Sequence, residues 1–149
     1  MFKHILVTLD GSDLSERALS TAFQLAQKFE SQVTLLRVIN TDTAVATAAG
    51  AGPSSLRLLD MREATEQQES TEYLQAIAAQ WRGTGVPVAI QVAYGAPPEM
   101  IVQVSDQTNA DLIVMSTHGR SGLNRFLYGS VAEAVLRGTQ LPLLLIPVK

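Results

Sequence analysis

The sequence predicts an α/β fold: a doubly wound three-layer sandwich in which helices cover both faces of a five-stranded parallel sheet. Along 149 residues, five short apolar segments alternate with four segments of helical character. The apolar segments barely alternate between apolar and polar positions, which is typical of parallel strands buried on both faces. Right-handed crossovers between successive strands then place helices on both sides of the sheet.

The predicted elements follow one another in the order β-α-β-α-β-α-β-α-β. The predicted strands are residues 3–9, 32–39, 86–94, 110–116 and 141–149. The predicted helices are residues 14–29, about 55–82, 97–108 and 129–138. Ser12 or Asp13 can cap the first helix, and Pro97 with Pro98 suits the first turn of the third. Residues 40–55 are small and polar and predict a mobile surface loop. The apolar stripe predicted for the first helix is Leu14, Ala18, Ala22, Leu25 and Phe29.

Composition indicates an ordinary folded chain, for which we expect one domain over residues 1–149. Hydrophobic residues make up 46% and charged residues 17%, which excludes a disordered chain. The net charge of −3 argues against nonspecific nucleic-acid binding. The absence of cysteine excludes disulfides, thiol catalysis and thiolate metal sites. Since no apolar run is long enough for a signal peptide or a membrane span, we expect a cytoplasmic protein that binds neither nucleic acid nor membranes.

In a sheet of this kind, ligands bind beyond the carboxyl ends of the strands, where the winding reverses. Thr8, Leu9 and Asp10 end the first strand, and Met115 to Gly119 follow from the fourth. Glycine N–H groups in the second loop can point at anionic oxygens, and the opening turn of the last helix attracts phosphate. Asp10 can accept a hydrogen bond from a ribose hydroxyl. The candidate phosphate-binding residues are Gly119, Arg120, Gly122, Arg125, Gly129, Ser130 and Val131.

Each of these residues also has an ordinary structural interpretation. Asp10 also fits a turn residue that has no part in ligand binding. Arg120 and Arg125, each taken alone, fit solvated side chains. His118 suits a packed or backbone-bonded loop histidine better than a catalytic base, and His4 suits a structural role. The concentration of glycine, serine and arginine in one loop favours the nucleotide interpretation.

Across essentially the whole chain the sequence resembles the universal stress protein family, in the segments ILVTLDGSDLSERAL, ADLIVMSTHGRSG, GSVAEAVL and LPLLLIPV. The nucleotide-binding branch of that family has a motif of glycine, two residues, glycine, nine residues, then glycine with serine or threonine. Here the motif corresponds to Ser116, Gly119 and Gly129 with Ser130, so that serine replaces the first glycine.

The resemblance implies a Rossmann-like sheet with strand order 3-2-1-4-5. It also implies ATP as the ligand, with AMP or ADP as alternatives, and Mg²⁺ bound with the nucleotide, for which Asp10 is a weak candidate ligand. Adenine contacts are implied near Val38 and Met115, a ribose contact near Asp10, and a homodimer through the last strand, Leu141 to Val148. An apolar edge strand suits such pairing. The full set of predicted nucleotide-binding residues is Thr8, Leu9, Asp10, Val38, Met115, Ser116, His118, Gly119, Arg120, Gly122, Arg125, Gly129, Ser130 and Val131.

We therefore expect a nucleotide-dependent homodimeric module in regulation or stress response, rather than an efficient enzyme. Two alternatives remain open: a slow ATPase or phosphotransferase, and a dimeric interaction module that binds no nucleotide. No G-x-x-x-x-G-K-[ST] phosphate loop occurs in the sequence. The first loop, DGSDLS, also lacks the G-x-G-x-x-G pattern of dinucleotide-binding redox proteins.

Overall fold

The computed structural model describes residues 1–41, 50, 52–117 and 129–148. Five parallel strands form one sheet in the order β3-β2-β1-β4-β5, which confirms the predicted fold class and strand order. The strands are β1 (His4–Thr8), β2 (Gln32–Ile39), β3 (Val88–Tyr94), β4 (Leu112–Ser116) and β5 (Leu143–Ile146). The helices are α1 (Asp13–Phe29), α2 (Pro53–Gln80), α3 (Pro97–Gln107) and α4 (Ser130–Gly138), and a 3₁₀ turn at Arg82–Thr84 follows α2.

The core lies in two layers, one on each face of the sheet. Successive side chains of a strand point to opposite faces, so Ile5 and Val7 pack with α1 and α2. Leu6, between them, packs with α3 and α4 on the other face. All three side chains are fully buried. The central strand β1 therefore joins both halves of the core, and its carboxyl end opens between them.

Helix α1 begins at one of the two predicted caps. The Ser12 hydroxyl accepts a hydrogen bond from the Ser15 N–H at 3.2 Å, so Ser12 is the cap and Asp13 is the first helical residue. The predicted apolar stripe was partly wrong, because Leu14, Leu25 and Phe29 are only half-buried and lie at the edges of the contact. The face that packs on the sheet is Ser15, Ala18, Leu19, Ala22, Phe23 and Ala26.

Helix α2 begins at Pro53, two residues before the predicted start, because proline suits the first turn of a helix. Its first half is largely exposed, and Leu74 and Ile77 in the second half enter the core. Most of the predicted 40–55 loop (residues 42–49 and 51) lies outside the described residues. None of the helices in the described ranges is long and apolar enough to cross a membrane.

Prolines shorten two strands relative to the prediction. β3 begins at Val88, since Pro87 has no N–H to donate, although its carbonyl oxygen accepts from the Val33 N–H at 2.9 Å. β5 is confined to four residues between Pro142 and Pro147. Both are edge strands, where prolines are tolerated.

Candidate functional site

A cavity of about 270 Å³ opens at the carboxyl edge of the sheet. It lies where β1 and β4 end and where α4 begins, the place at which the winding of the chain reverses. Its volume is near the lower end of the range for small-molecule sites, roughly 300 to 1,000 Å³. The described residues on its wall are Thr8, Leu9, Asp10, Ser15, Leu36, Val38, Pro97, Ile101, Met115, Ser116, Thr117, Gly129, Ser130, Val131 and Ala132.

The end of β1 supplies the carboxylate of Asp10. Beyond the strand, the Leu9 N–H still donates to the Leu36 carbonyl at 2.8 Å, which keeps the chain in line with β2. One Asp10 carboxylate oxygen accepts from the Ser12 N–H at 2.8 Å and from the Ser12 hydroxyl. The Asp10 N–H donates to the Ser15 hydroxyl at 3.2 Å. These bonds fix the orientation of the carboxylate at the cavity wall.

The start of α4 supplies hydrogen-bond donors. Gly129 precedes the helix with φ 74° and ψ 151°, a conformation that is essentially restricted to glycine. Within the described part of the chain, no side chain caps this end of the helix. The first N–H groups of an α-helix have no acceptor inside the helix, and the helix dipole makes this end positive. Because Ser130, Val131 and Ala132 line the cavity, it has a helix end suited to an anion.

The apolar part of the wall comes from the sheet and from α3. Leu36 and Met115 are buried at 0% and 5% exposure, and they belong to the core layer shared with α3 and α4. Val38 is half-buried beside them, and Ile101 closes the wall from the first turns of α3. Such a surface suits a flat, weakly polar group such as a purine ring.

Two buried polar residues end β4. Ser116 and Thr117 are 8% and 6% exposed. The Thr117 N–H donates to the Ile146 carbonyl at 3.0 Å, and its hydroxyl oxygen accepts from the Val148 N–H at 3.3 Å. The end of β4 is therefore tied to the edge strand β5. The position of Ser116 and Thr117 on the cavity wall depends on these hydrogen bonds to the β5 segment.

The charges at this site are few. Of the described residues that line the cavity, Asp10 alone carries a formal charge. In the same ranges, no group of three or more histidine, aspartate or glutamate side chains is placed to hold a metal ion. The acidic residue in the first turn of α4 is Glu133. Its carboxylate pairs with the Arg137 guanidinium at an N–O distance of 2.7 Å, on the exposed side of the helix.

The structure brings together the predicted residues that it describes. The predicted residues on the cavity wall are Thr8, Leu9, Asp10, Val38, Met115, Ser116, Gly129, Ser130 and Val131. Five predicted residues lie outside the described ranges: His118, Gly119, Arg120, Gly122 and Arg125. The structural interpretation of His4 fits the structure, since its ring bonds the Thr108 carbonyl at 2.8 Å and the Thr34 hydroxyl at 2.7 Å.

Sequence reasoning missed part of the cavity wall. The missed residues are Ser15, Leu36, Pro97, Ile101, Thr117 and Ala132. Pro97 and Ile101 stand in the first turns of the helix after β3, at the same sheet edge as the other loops. The first turn of a helix that follows a strand is a signal that would have identified Pro97. Leu36 is hidden within a continuous apolar strand, and Ile101 within the apolar stripe of its helix.

Comparison with known proteins identifies the family. The sequence model of the universal stress protein family matches residues 1–147. A universal stress protein of Methanocaldococcus jannaschii is 33% identical over 146 residues, which cover 98% of this chain and 82% of the relative. A universal stress protein of Synechocystis sp. is 31% identical over 149 residues, with 95% and 96% of the two chains covered.

Solved structures share the fold. The hypothetical protein MJ0577 superposes with a TM-score of 0.83 at 25% identity, over 100% of this chain and 98% of its own. A universal stress protein in complex with cAMP gives a TM-score of 0.71 at 22% identity, over 99% and 98% of the chains. One from Archaeoglobus fulgidus in complex with dAMP gives 0.61 at 20% identity, over 98% of each chain. The sequence match and the shared fold agree, and the chain belongs to the universal stress protein family.

Proposed function

We propose that the chain binds an adenine nucleotide, ATP in the first place and AMP or ADP as alternatives, in the cavity at the ends of β1 and β4. In this proposal it acts in the cytoplasm as a homodimeric module of regulation or stress response, and not as an efficient enzyme. The observation that carries the proposal is the uncapped start of α4, which faces a cavity whose wall also holds the Asp10 carboxylate.

The chemistry of the wall suits the three parts of a nucleotide. The apolar surface of Leu36, Val38 and Met115 would receive adenine, and Asp10 would accept from a ribose hydroxyl. The N–H groups that open α4 would bind phosphate oxygens, together with the glycine motif of the preceding residues. Magnesium would arrive with the nucleotide, because Mg²⁺ is commonly held by one or two carboxylates and the substrate phosphates. Asp10 is the carboxylate on this wall.

Two related structures support this ligand class. One was solved in complex with cAMP and another in complex with dAMP, so the same fold holds adenosine phosphates elsewhere in the family. Both ligands share the adenine ring and a phosphate, the two groups that the apolar wall and the α4 start would recognise.

Isothermal titration calorimetry with ATP, ADP and AMP tests the proposal, with inorganic triphosphate and GTP as controls. We expect saturable binding at one nucleotide per chain, strongest for the adenine nucleotides. Absence of saturation up to about 1 mM of all three would refute the binding function. A multiple-turnover assay with a kcat of roughly 1 s⁻¹ or above would instead indicate a true ATPase.

The proposed dimer uses β5, an end strand of the sheet whose four residues are all half-buried. Its unpaired backbone edge could pair with a second copy, although Pro142 and Pro147 limit the length of that ladder. Analytical ultracentrifugation should show a dimer that Leu144→Glu weakens and that Ala89→Glu, on the opposite edge strand β3, leaves intact. Thermal melts would show that both variants are folded. A wild-type monomer at all concentrations would refute the dimer.

A further inference from the structure

A second cavity, of about 420 Å³, adjoins the proposed nucleotide cavity. The two share Asp10, Val38 and Pro97 on their walls. The other residues that line the second cavity are Arg37, Ile39, Asn40, Glu66, Glu69 and Ser70. It is thus bounded by the end of β2, the middle of α2 and the start of α3, and none of the described α4 residues lines it.

Arg37 is the one cation among the described residues of this second wall, and two contacts hold its guanidinium in place. Its guanidinium carbon lies over the Tyr73 ring, 5.3 Å from the centroid. The Tyr73 hydroxyl in turn donates to a Glu16 carboxylate oxygen at 2.9 Å. On its other side the guanidinium contacts the turn after β1, since a Cβ added to Gly11 would lie 3.2 Å from it. A guanidinium that contacts an aromatic ring in this way still has N–H donors for other partners.

Arg37 has no carboxylate partner in the described part of the chain. Over the described ranges, the one ion pair within 4.0 Å is Arg137 with Glu133. Ser70, which is 1% exposed, lines the same cavity as Arg37. A half-buried guanidinium without a described carboxylate partner and a buried serine therefore line the same space.

Three carboxylates line the second cavity together with Arg37: Asp10, Glu66 and Glu69. Glu66 and Glu69 are exposed on α2, where water and salt screen their charge. The Asp10 carboxylate already accepts hydrogen bonds from the Ser12 N–H and the Ser12 hydroxyl. Arg37 is half-buried, and interactions with buried groups are screened much less. The Arg37 guanidinium is therefore the donor that this space offers to an oxygen-rich, anionic group.

We propose that Arg37 and Ser70 form an anion subsite beside the ribose, so that the paired cavities take an adenine nucleotide that carries a phosphate on its 2′ or 3′ oxygen. The inference rests on the proposed nucleotide function, in which Asp10 accepts from a ribose hydroxyl. Because Asp10 lines both cavities, that edge of the ribose would face the second one. In dinucleotide-binding folds an arginine near the ribose accommodates a 2′-phosphate, and the planar guanidinium suits bidentate contacts to phosphate.

Calorimetric titration of the full chain with AMP, adenosine 2′,5′-bisphosphate and adenosine 3′,5′-bisphosphate tests the subsite. We expect one of the bisphosphates to bind roughly tenfold or more tightly than AMP, as one charge-assisted contact provides. Arg37→Gln should abolish that difference and Ser70→Ala should reduce it. Arg57→Gln, an exposed arginine on α2 and the matched control, should preserve it.

The outcomes separate this inference from the function on which it rests. If AMP and ATP bind but neither bisphosphate binds better than AMP, or if Arg37→Gln keeps the advantage, the subsite is refuted and the nucleotide site stands. If no adenine nucleotide binds, both proposals fail. Should Arg37→Gln not fold, the wild-type comparison still decides, and Arg37→Lys tests whether the advantage depends on the planar guanidinium.

Discussion

Gly129→Ala is the sharpest test of the proposed phosphate position. Gly129 stands directly before α4 with φ 74° and ψ 151°, a region of backbone conformation that is essentially restricted to glycine. An alanine Cβ is disfavoured there whatever the space around it. The variant must either retain the strained turn or change the turn, and a changed turn would redirect the N–H groups of Ser130 and Val131.

The expected magnitude follows from that strain. A residue held in a sparsely populated backbone region costs about 1–3 kcal/mol. If the turn keeps its shape, the cost is observed as a lower free energy of unfolding. If the turn relaxes, the helix start loses its alignment with the phosphate, and nucleotide affinity falls by roughly five- to 150-fold. We expect part of each effect.

Urea unfolding without nucleotide and calorimetric titration with ATP measure the two parts separately. Gly138→Ala is the matched control at the other end of α4, since its backbone is not in the left-handed region and the new Cβ would meet Val102 at an ordinary 3.5 Å. We expect the control to raise the free energy of unfolding by at most about 1 kcal/mol, as Gly→Ala does at a compatible helical position, and to leave ATP affinity unchanged. Wild-type affinity in Gly129→Ala, whatever its stability, would show that phosphate does not approach this turn.

Three further variants test the site and its support. Asp10→Asn should weaken ATP binding by about 1 kcal/mol in calorimetry, because a charge-assisted bond to the ribose, worth about 1.5–3 kcal/mol, becomes a neutral one, worth about 0.5–1.5 kcal/mol. Burial, the hydrogen bond to Glu16 and the charge of Glu16 raise the pKa of Tyr73, so stability that is present below about pH 10 should be lost as pH rises further. Urea unfolding from about pH 9 to 11 should therefore show a steeper loss for the wild type than for Tyr73→Phe. Phe23→Ala, at a fully buried ring stacked on Trp81, should lower the free energy of unfolding by about 3–5 kcal/mol in urea titration.

Each of these variants has a contrasting measurement. Asp13→Asn, at an exposed residue of the first turn of α1, should leave ATP affinity unchanged. If Asp13→Asn and Asp10→Asn lost equal ATP affinity, the effect of Asp10 would be one of long-range charge rather than of contact with the ribose. Parallel pH profiles for wild type and Tyr73→Phe would show that the phenol does not couple to folding. Leu58→Ala, at 62% exposure on α2, should change stability by less than about 0.5 kcal/mol, and a loss equal to that of Phe23→Ala would contradict the assigned core.

The order of elements could be predicted because each strand is an uninterrupted apolar run between turn residues. The exact ends of the strands depend on individual residues, such as prolines, which the spacing of apolar residues does not take into account. Pro87 delays the start of β3, and Pro142 with Pro147 confines β5. The stripe of α1 shifted for another reason: the helix packs across β1 and β4, so residues on both sides of the predicted line, such as Leu19 and Phe23, are buried.

The candidate site could be predicted at polar residues and glycines next to apolar strands and helix starts, and at Val38 and Met115 through the family resemblance. Asp10 and Gly129 stand out after apolar strands or before a helix, and both line the cavity. Leu36 and Ile101 line it as well, yet nothing in their sequence context distinguishes them from core residues. Their exposure to the cavity depends on how far β2 extends beyond β1 and on where α3 crosses the sheet, which are properties of packing.

The choice of α4 as the anion site follows from comparing the helix starts around the cavity. The N-terminus of α1 is already capped by the Ser12 hydroxyl, and acidic residues, Asp13 among them, occupy its first turn, so its positive end is neutralised. Helix α3 begins with Pro97 and Pro98, which have no N–H to donate. The acid in the first turn of α4, Glu133, is paired with Arg137 on the exposed side of that helix. Helix α4 begins after Gly129 with no side-chain cap in the described structure, and its first residues line the cavity. A phosphate placed at α1 would meet a capped helix end with acidic residues in its first turn, whereas at α4 it would meet N–H groups. In the proposed function, the cavity would therefore orient the nucleotide with its ribose toward β1 and its 5′-phosphates toward α4.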